Sequence, residues 1–208
     1  HSGDTYVLAK DIEKLHGNTR AVALYNPSDV PQRVEVSAET LEMSGEMSVR
    51  DLNEHRNLGK MTKIDITLPA HTAKILRVKG TRIEPVIYEG EWAFCPDFSD
   101  IRPSGVKYVA AEGASGGVVA EKIGGSASNY LRWNDVYSKN GGNYRITFKF
   151  MPSASDFTAE ASVNGTKFAV SRSATSIEVT LRKGDNEVRI GNADAIIPAI
   201  DYIEVEKL

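Results

Sequence analysis

The tetrapeptide Tyr88-Glu89-Gly90-Glu91 sets two carboxylates two residues apart. On an extended strand positions i and i+2 point the same way, so Glu89 and Glu91 are expected on one face and Tyr88 and Gly90 on the other. Carboxylates held side by side repel unless a cation or an arginine stands between them. A hard cation such as Ca²⁺ takes about six to eight oxygens, which calls for a third acid and several carbonyls. Asp201, in Ile200-Asp201-Tyr202-Ile203, supplies that acid if the first and last strands of its domain lie side by side. An exposed acidic strand face is the alternative, and it needs no ion.

Other reactive residue types point to less. Retaining glycosidase chemistry needs two carboxyls about 5–5.5 Å apart across a sugar-sized cleft, and no acid pair is legible on a rigid frame. No residue is therefore assigned a catalytic role. His1, His16, His55 and His71 are scattered and never reach metal-ligand spacing. Gly113-Ala114-Ser115-Gly116-Gly117 lacks the Lys-Ser/Thr and the helix that a phosphate-cradling loop requires, so it reads as a sandwich loop. Asn164-Gly165-Thr166 has the form of a glycosylation sequon, but Asn-Gly is better explained as a hairpin turn.

The elements that must carry these residues are strands. Val34 and Val36, then Ile64, Ile66 and Leu68, alternate with polar residues. Tyr144, Ile146, Phe148 and Phe150 repeat the pattern, followed by Phe157 to Val163, Ile177 to Leu181, and Val188 with Ile190. Such period-two runs put one face in a core and one in water. Asn26-Pro27-Ser28-Asp29, Asn140-Gly141-Gly142 and Lys183-Gly184-Asp185-Asn186 separate them with turn chemistry. No segment of a dozen residues holds a 3.6-residue apolar period. The expected fold class is all-β, as antiparallel sandwiches. After Leu76-Arg77-Val78 ends a strand, a turn residue, charges and Pro85 precede a new strand at Val86-Ile87-Tyr88. A boundary is placed at Arg82, giving domains 1–82 and 83–208, the first with six to eight short strands.

The 208 residues suffice for two domains. A formal net charge of −3 with mixed signs gives no footprint for nucleic acid or an anionic membrane, and no apolar run reaches the roughly 20 residues of a membrane span. Cys95 is the single cysteine, so no internal disulfide is possible. His1-Ser2-Gly3-Asp4 carries no signal-peptide pattern, and any export signal is expected outside this sequence.

Val7-Leu8-Ala9-Lys10, Ala21-Val22-Ala23-Leu24-Tyr25-Asn26, Val49-Arg50-Asp51-Leu52, His55, Leu58-Gly59 and Leu68-Pro69-Ala70-His71 follow one another in a family order. They resemble the C-terminal β-sandwich of glycoside hydrolase family 27, the α-galactosidase (melibiase) family, from about Val7 to Val78. Asn53 stands where that family usually has tryptophan. Without the family, Arg50 and Asp51 read as loop anchors bonded to backbone. The resemblance implies an N-terminal (β/α)8 barrel in the parent chain that carries the catalytic carboxylates. This chain lacks the length and the helices for that barrel.

A second series comprises Tyr88-Glu89-Gly90-Glu91, Gly125-Ser126-Ala127-Ser128-Asn129-Tyr130-Leu131, Gly142-Asn143-Tyr144, Val163-Asn164-Gly165, Leu181-Arg182-Lys183-Gly184-Asp185-Asn186 and Ile200-Asp201-Tyr202-Ile203. It is similar to carbohydrate-binding module family 35, a relative of family 6, with a jelly-roll-like sandwich over about Val86 to Leu208. The resemblance implies a structural calcium on Glu89, Glu91 and Asp201. It implies carbohydrate contacts at Asn192 and Asp194 in the Gly191–Pro198 loop, and at Asn129 and Tyr130. Ile196 or Ile197 stands where many relatives carry an aromatic, and Ser171–Thr175 lacks a common tryptophan; Trp133 reads as a core candidate. The expected function is a non-catalytic accessory piece of an α-galactosidase-like enzyme that binds carbohydrate, with a galactose-containing glycan as the candidate ligand, and is secreted, periplasmic or at the cell surface. A purely structural or protein-interaction sandwich is the alternative.

Overall fold

A computed structural model of the chain describes residues 5–98, 105–153 and 155–208; His1 and the three residues after it lie outside the described residues. Among the described residues helix is confined to 3₁₀ turns of three residues, Glu39–Leu41, Gly90–Trp92 and Ser115–Gly117. All paired strands run antiparallel, and the chain divides into two compact units, His1–Glu84 and Pro85–Leu208. The fold class is all-β, with two sandwiches in tandem.

The first unit holds seven strands: β1 (Tyr6–Asp11), β2 (Thr19–Tyr25), β3 (Gln32–Ser37), β4 (Met43–Asp51), β5 (Arg56–Met61), β6 (Lys63–Leu68) and β7 (Ala73–Arg82). A five-stranded sheet in the order β1-β2-β7-β4-β5 shares its core with the β3-β6 pair. Val34, Val36 and Ile64 are buried between the sheets, and Ile66, expected with them, is only partly buried at the edge of that core.

β7 does not stop at Val78 as the sequence suggested. It runs on to Arg82, in register with Ser44 and Met43 of β4. Arg82 and Arg20 share the acids Asp11 and Glu42 in a buried ion cluster: Arg82 pairs with both acids, while Arg20 lies 3.2 Å from Asp11 and 2.9 Å from Glu42. The charges that looked like linker in the sequence therefore belong to the first unit.

The second unit continues with β8 (Ile87–Glu89), β9 (Lys107–Ala110), β10 (Val118–Glu121), β11 (Tyr130–Ser138), β12 (Gly142–Phe150), β13 (Thr158–Val163), β14 (Thr166–Ser171), β15 (Ser176–Leu181), β16 (Gly184–Gly191) and β17 (Ile200–Lys207). One sheet runs β15-β12-β17-β10-β9 with β8 also on β17, and a second runs β11-β16-β13-β14. Tyr144, Ile146, Phe148 and Val179 from the first sheet meet Trp133, Ala161, Val188 and Ile190 from the second in one apolar core. Asn164 and Gly165 both have positive φ, 49° and 88°, in a two-residue loop between Val163 and Thr166, the geometry that Asn-Gly favours. The Asn164 amide donates to Asn186 Oδ1 at 2.8 Å and its oxygen accepts from the Glu187 amide, so its side chain is committed to the fold.

Candidate functional site

Strand β8 ends at Glu89, and the 3₁₀ turn Gly90–Trp92 follows. Glu89 and Glu91 therefore do not share a strand face, which corrects the alternation read from sequence. The turn forms because residue 90 is pressed against β17: a Cβ there would lie 2.7 Å from the Ile200 carbonyl and 2.8 Å from that of Asp201, space only glycine leaves. The first and last strands of the unit do pair, with Glu89 opposite Tyr202 and Tyr88 opposite Ile203. Ser115 ties the acids together: its hydroxyl donates to Glu89 Oε1 at 2.7 Å, and its amide donates to both oxygens of Asp201, at 3.0 and 3.1 Å.

The negative charge in this cluster is poorly compensated. Glu89 Oε2 and Glu91 Oε2 are buried without a hydrogen-bond partner. Burial pushes the Glu89 carboxyl above its ordinary range, against the Ser115 bond and helped by the Asp201 charge. Glu91 is pushed up by burial and by the charges of Glu89 and Asp201, while its own amide and the Trp92 indole oppose the rise. Yet among the described residues no three His, Cys, Asp or Glu side chains converge as a ready metal cluster, and both Asp201 oxygens accept from the Ser115 amide. The donor set is all oxygen, and its two orphaned carboxylate oxygens suit a hard cation.

On the outer face of the β11-β16-β13-β14 sheet lies a groove of about 860 Å³. It brings together all four side chains expected to meet carbohydrate, Asn129, Tyr130, Asn192 and Asp194. Their chemistry differs. Asn129 is buried and spends its amide on the Lys122 and Gly124 carbonyls, at 2.7 and 2.6 Å. Asn192 donates to the Thr158 carbonyl at 2.8 Å and accepts from the Asp194 and Ala195 amides, a local turn that shapes the loop. Asp194 is exposed at the rim. Tyr130 is half-buried, and the Arg189 guanidinium sits 3.4 Å from its ring centroid with Nη2 anchored on the Ala127 carbonyl at 2.9 Å.

Sequence reasoning missed Arg189, Ser115 and the Glu160–Lys167 ion pair that lines the same groove. Arg189 was legible in principle, since it alternates with buried Val188 and Ile190 and so had to face outward. Trp133 is 2% exposed and its indole N–H donates to the Glu89 carbonyl at 2.9 Å, a core residue that braces the acidic turn. Ile196 is exposed and Ile197 buried, so it is Ile196 that stands where an aromatic would meet solvent.

Residues 2–78 match the family model of the alpha galactosidase C-terminal beta sandwich domain. The isomalto-dextranase of Arthrobacter globiformis T6, solved in complex with panose, is 23% identical over 92% of this chain with a TM-score of 0.54, and shares the fold. This chain spans 35% of the length of that enzyme. A family 35 carbohydrate binding module from Clostridium thermocellum is 26% identical over 58% of this chain and 97% of its own, with a TM-score of 0.46. Alpha-galactosidase I from Mortierella vinacea is 21% identical over 40% of this chain and 22% of its own, with a TM-score of 0.36. None of the curated proteins matches. No (β/α)8 barrel is present among the described residues.

Proposed function

We propose that this chain is a non-catalytic accessory region of an α-galactosidase-like glycoside hydrolase, in which the second unit binds carbohydrate in the groove over β11, β16, β13 and β14. The observation that carries this reading is the Tyr130–Arg189 stack on the groove wall. A pyranose needs a flat partner for its C–H face and directional partners for its hydroxyls, and an aromatic ring layered with a forked guanidinium supplies both. Glu160, Lys167 and Asp194 add charged partners around it. The family of the first unit supports a parent enzyme whose catalytic barrel lies N-terminal to this region and which works outside the cytoplasm.

In the same unit Glu89, Glu91 and Asp201 would hold a calcium ion. The ion would supply the positive charge that two buried carboxylate oxygens lack and would stiffen the turn beneath the sheet. It has no part in chemistry on the sugar.

The test is glycan-array binding followed by calorimetry on the hits, with galactose-containing glycans included. Wild-type protein should bind at least one class, and Tyr130→Ala should abolish it without lowering the melting midpoint by more than a few degrees. A second reading, a purely structural sandwich, is favoured by the commitment of the Asn129 and Asn192 side chains to backbone and by Ile196 at the loop. An array on which the folded protein binds nothing would establish that reading instead. Hydrolysis of a nitrophenyl α-galactoside by the purified chain, abolished by mutating one acid, would overturn the accessory assignment.

A further inference from the structure

Trp92 is 78% exposed and Phe94 49%, while Ala93 between them is 5% exposed. The chain leaves the 3₁₀ turn at Ala93, whose φ of −70° and ψ of 143° are extended, so exposed Trp92 stands two residues before Phe94 at the exit of the turn. Phe94 is held in place by a reciprocal backbone pair with Arg132, N to O distances 2.8 and 2.9 Å. It thereby continues the β11-β16-β13-β14 sheet by one further position beyond β11 and points to the same face as Arg132, whose guanidinium lies 4.6 Å from the Phe94 ring centroid.

The register across this face runs from Phe94 to Arg132, then to Arg189, Ser162 and Lys167. The last three line the groove. Four strand spacings separate Phe94 from Lys167, about 19 Å. One continuous surface therefore carries the groove at one end and the exposed Phe94 ring at the other, with exposed Trp92 two residues before it in the chain. Between them Arg132 Nε is buried without a hydrogen-bond partner, and Arg132 Nη1 lies 3.9 Å from Glu187 Oε2, a carboxylate that also lines the groove.

We propose that Trp92 and Phe94 form an outer stacking subsite for an oligosaccharide that crosses the sheet face from the groove, with Arg132 and Glu187 meeting its hydroxyls on the way. This rests on the reading of the second unit as carbohydrate-binding and makes it more specific: the ligand is an extended chain of several pyranose rings, longer than the groove alone accepts. A sugar ring lays its axial C–H bonds on an indole or phenyl face and leaves its hydroxyls at the rim, where a guanidinium and a carboxylate can pair with them.

Trp92 and Trp133 are the two tryptophans, one open and one buried, so iodide quenching reports on Trp92 almost alone. The probes are isomalto-oligosaccharides and β-1,3-galacto-oligosaccharides of two to about six rings. The longest oligosaccharide bound should protect Trp92 from iodide, and a disaccharide of the same series should not. Trp92→Ala and Phe94→Ala should each lower the ratio of hexasaccharide to disaccharide affinity about tenfold, with Trp92→Phe retaining most of it. The subsite is overturned if the chain-length series binds but the ratio is unchanged in both variants and Trp92 stays equally open to iodide. If wild-type protein binds no sugar of either series or on the array, the carbohydrate reading itself fails and the subsite with it; that outcome is distinct because it precedes any variant.

Discussion

Arg132 and Arg189 stand directly opposite one another in the register of β11 and β16, both on the outer face of the sheet. Like charges in that position repel, and each has its own relief. Arg132 lies over Phe94 and reaches toward Glu187, and Arg189 lies over Tyr130. Two aromatic rings are thus fixed by a charge arrangement that does little for stability and orders the face where a ligand would lie. Arg189→Ala removes the repulsion together with the cation–π contact, terms of similar size, so stability should change by less than about 1 kcal/mol. Glycan binding should fall all the same, and Arg189→Lys should not rescue it because an ammonium lacks the flat fork. Calorimetry with the best array hit, paired with a denaturant melt, checks both halves.

The two tryptophans should separate core from surface. Trp133→Ala empties a fully packed site and strands the Glu89 carbonyl, an expected loss of about 3–5 kcal/mol. Trp133→Phe should recover most of the packing and still lose the hydrogen bond to Glu89, about 1 kcal/mol. Trp92→Ala should leave stability within about 0.5 kcal/mol. Urea melts followed by circular dichroism measure all three, and a large loss at Trp92 would mean that the ring packs against the fold.

Much of the fold was legible because the code of a half-buried strand is local. Tyr144, Ile146 and Phe148 alternate with polar residues and all three are buried. The acidic cluster was legible as residue types, while its geometry was not. Period-two reasoning carried the strand past Glu89, whereas close approach to β17 turns the chain at Gly90. Ser115 escaped notice for the opposite reason: a serine in a glycine-rich loop is locally unremarkable, and only the tertiary fold brings its amide to Asp201, 86 residues away. Arg82 shows the same limit, since its partners Asp11 and Glu42 are distant in sequence.

Acid should weaken the first unit through Asp51. This carboxylate is fully buried; it accepts from the Asn53 and Glu54 amides, each at 2.9 Å, and pairs with Lys74. The Lys74 bond, with the two amides, holds its pKa below the ordinary 3.8 despite burial. A carboxyl with a depressed folded-state pKa contributes stability that is complete above the unfolded value and is lost as pH falls through the folded one. The first unit should therefore hold steady from neutral pH to about 4 and open at lower pH. Asp51→Asn should lower its stability by about 1–3 kcal/mol at neutral pH and flatten the acid loss. Hydrogen exchange of the amides at residues 51–54 between pH 2.5 and 6, corrected for intrinsic rates, reads this out. Equal acid slopes in the two proteins would remove Asp51 as the cause.

Calcium should stabilise the second unit. If Glu89, Glu91 and Asp201 hold one ion in the folded state alone, then at free calcium about 100 times the dissociation constant linkage gives about 2.7 kcal/mol, a melting shift of several degrees for a unit of this size. Magnesium should do little, because it demands tight octahedral geometry and gives up water reluctantly. Both Asp201 oxygens accept from the Ser115 amide, so an ion on the same carboxylate would draw charge from that bond. Calcium should therefore raise the melting midpoint and at the same time perturb the amide resonance of Ser115. Asp201→Asn should blunt both responses, and Asp194→Asn, at the groove rim, should leave both intact. The measurement is a set of thermal melts with chelator, calcium or magnesium on protein shown by metal analysis to start free of ions, together with a calcium titration followed by amide NMR. If the three melts coincide and the Ser115 resonance does not move, the two orphaned carboxylate oxygens are held as neutral acids by burial, and the cluster braces the sheet without a metal.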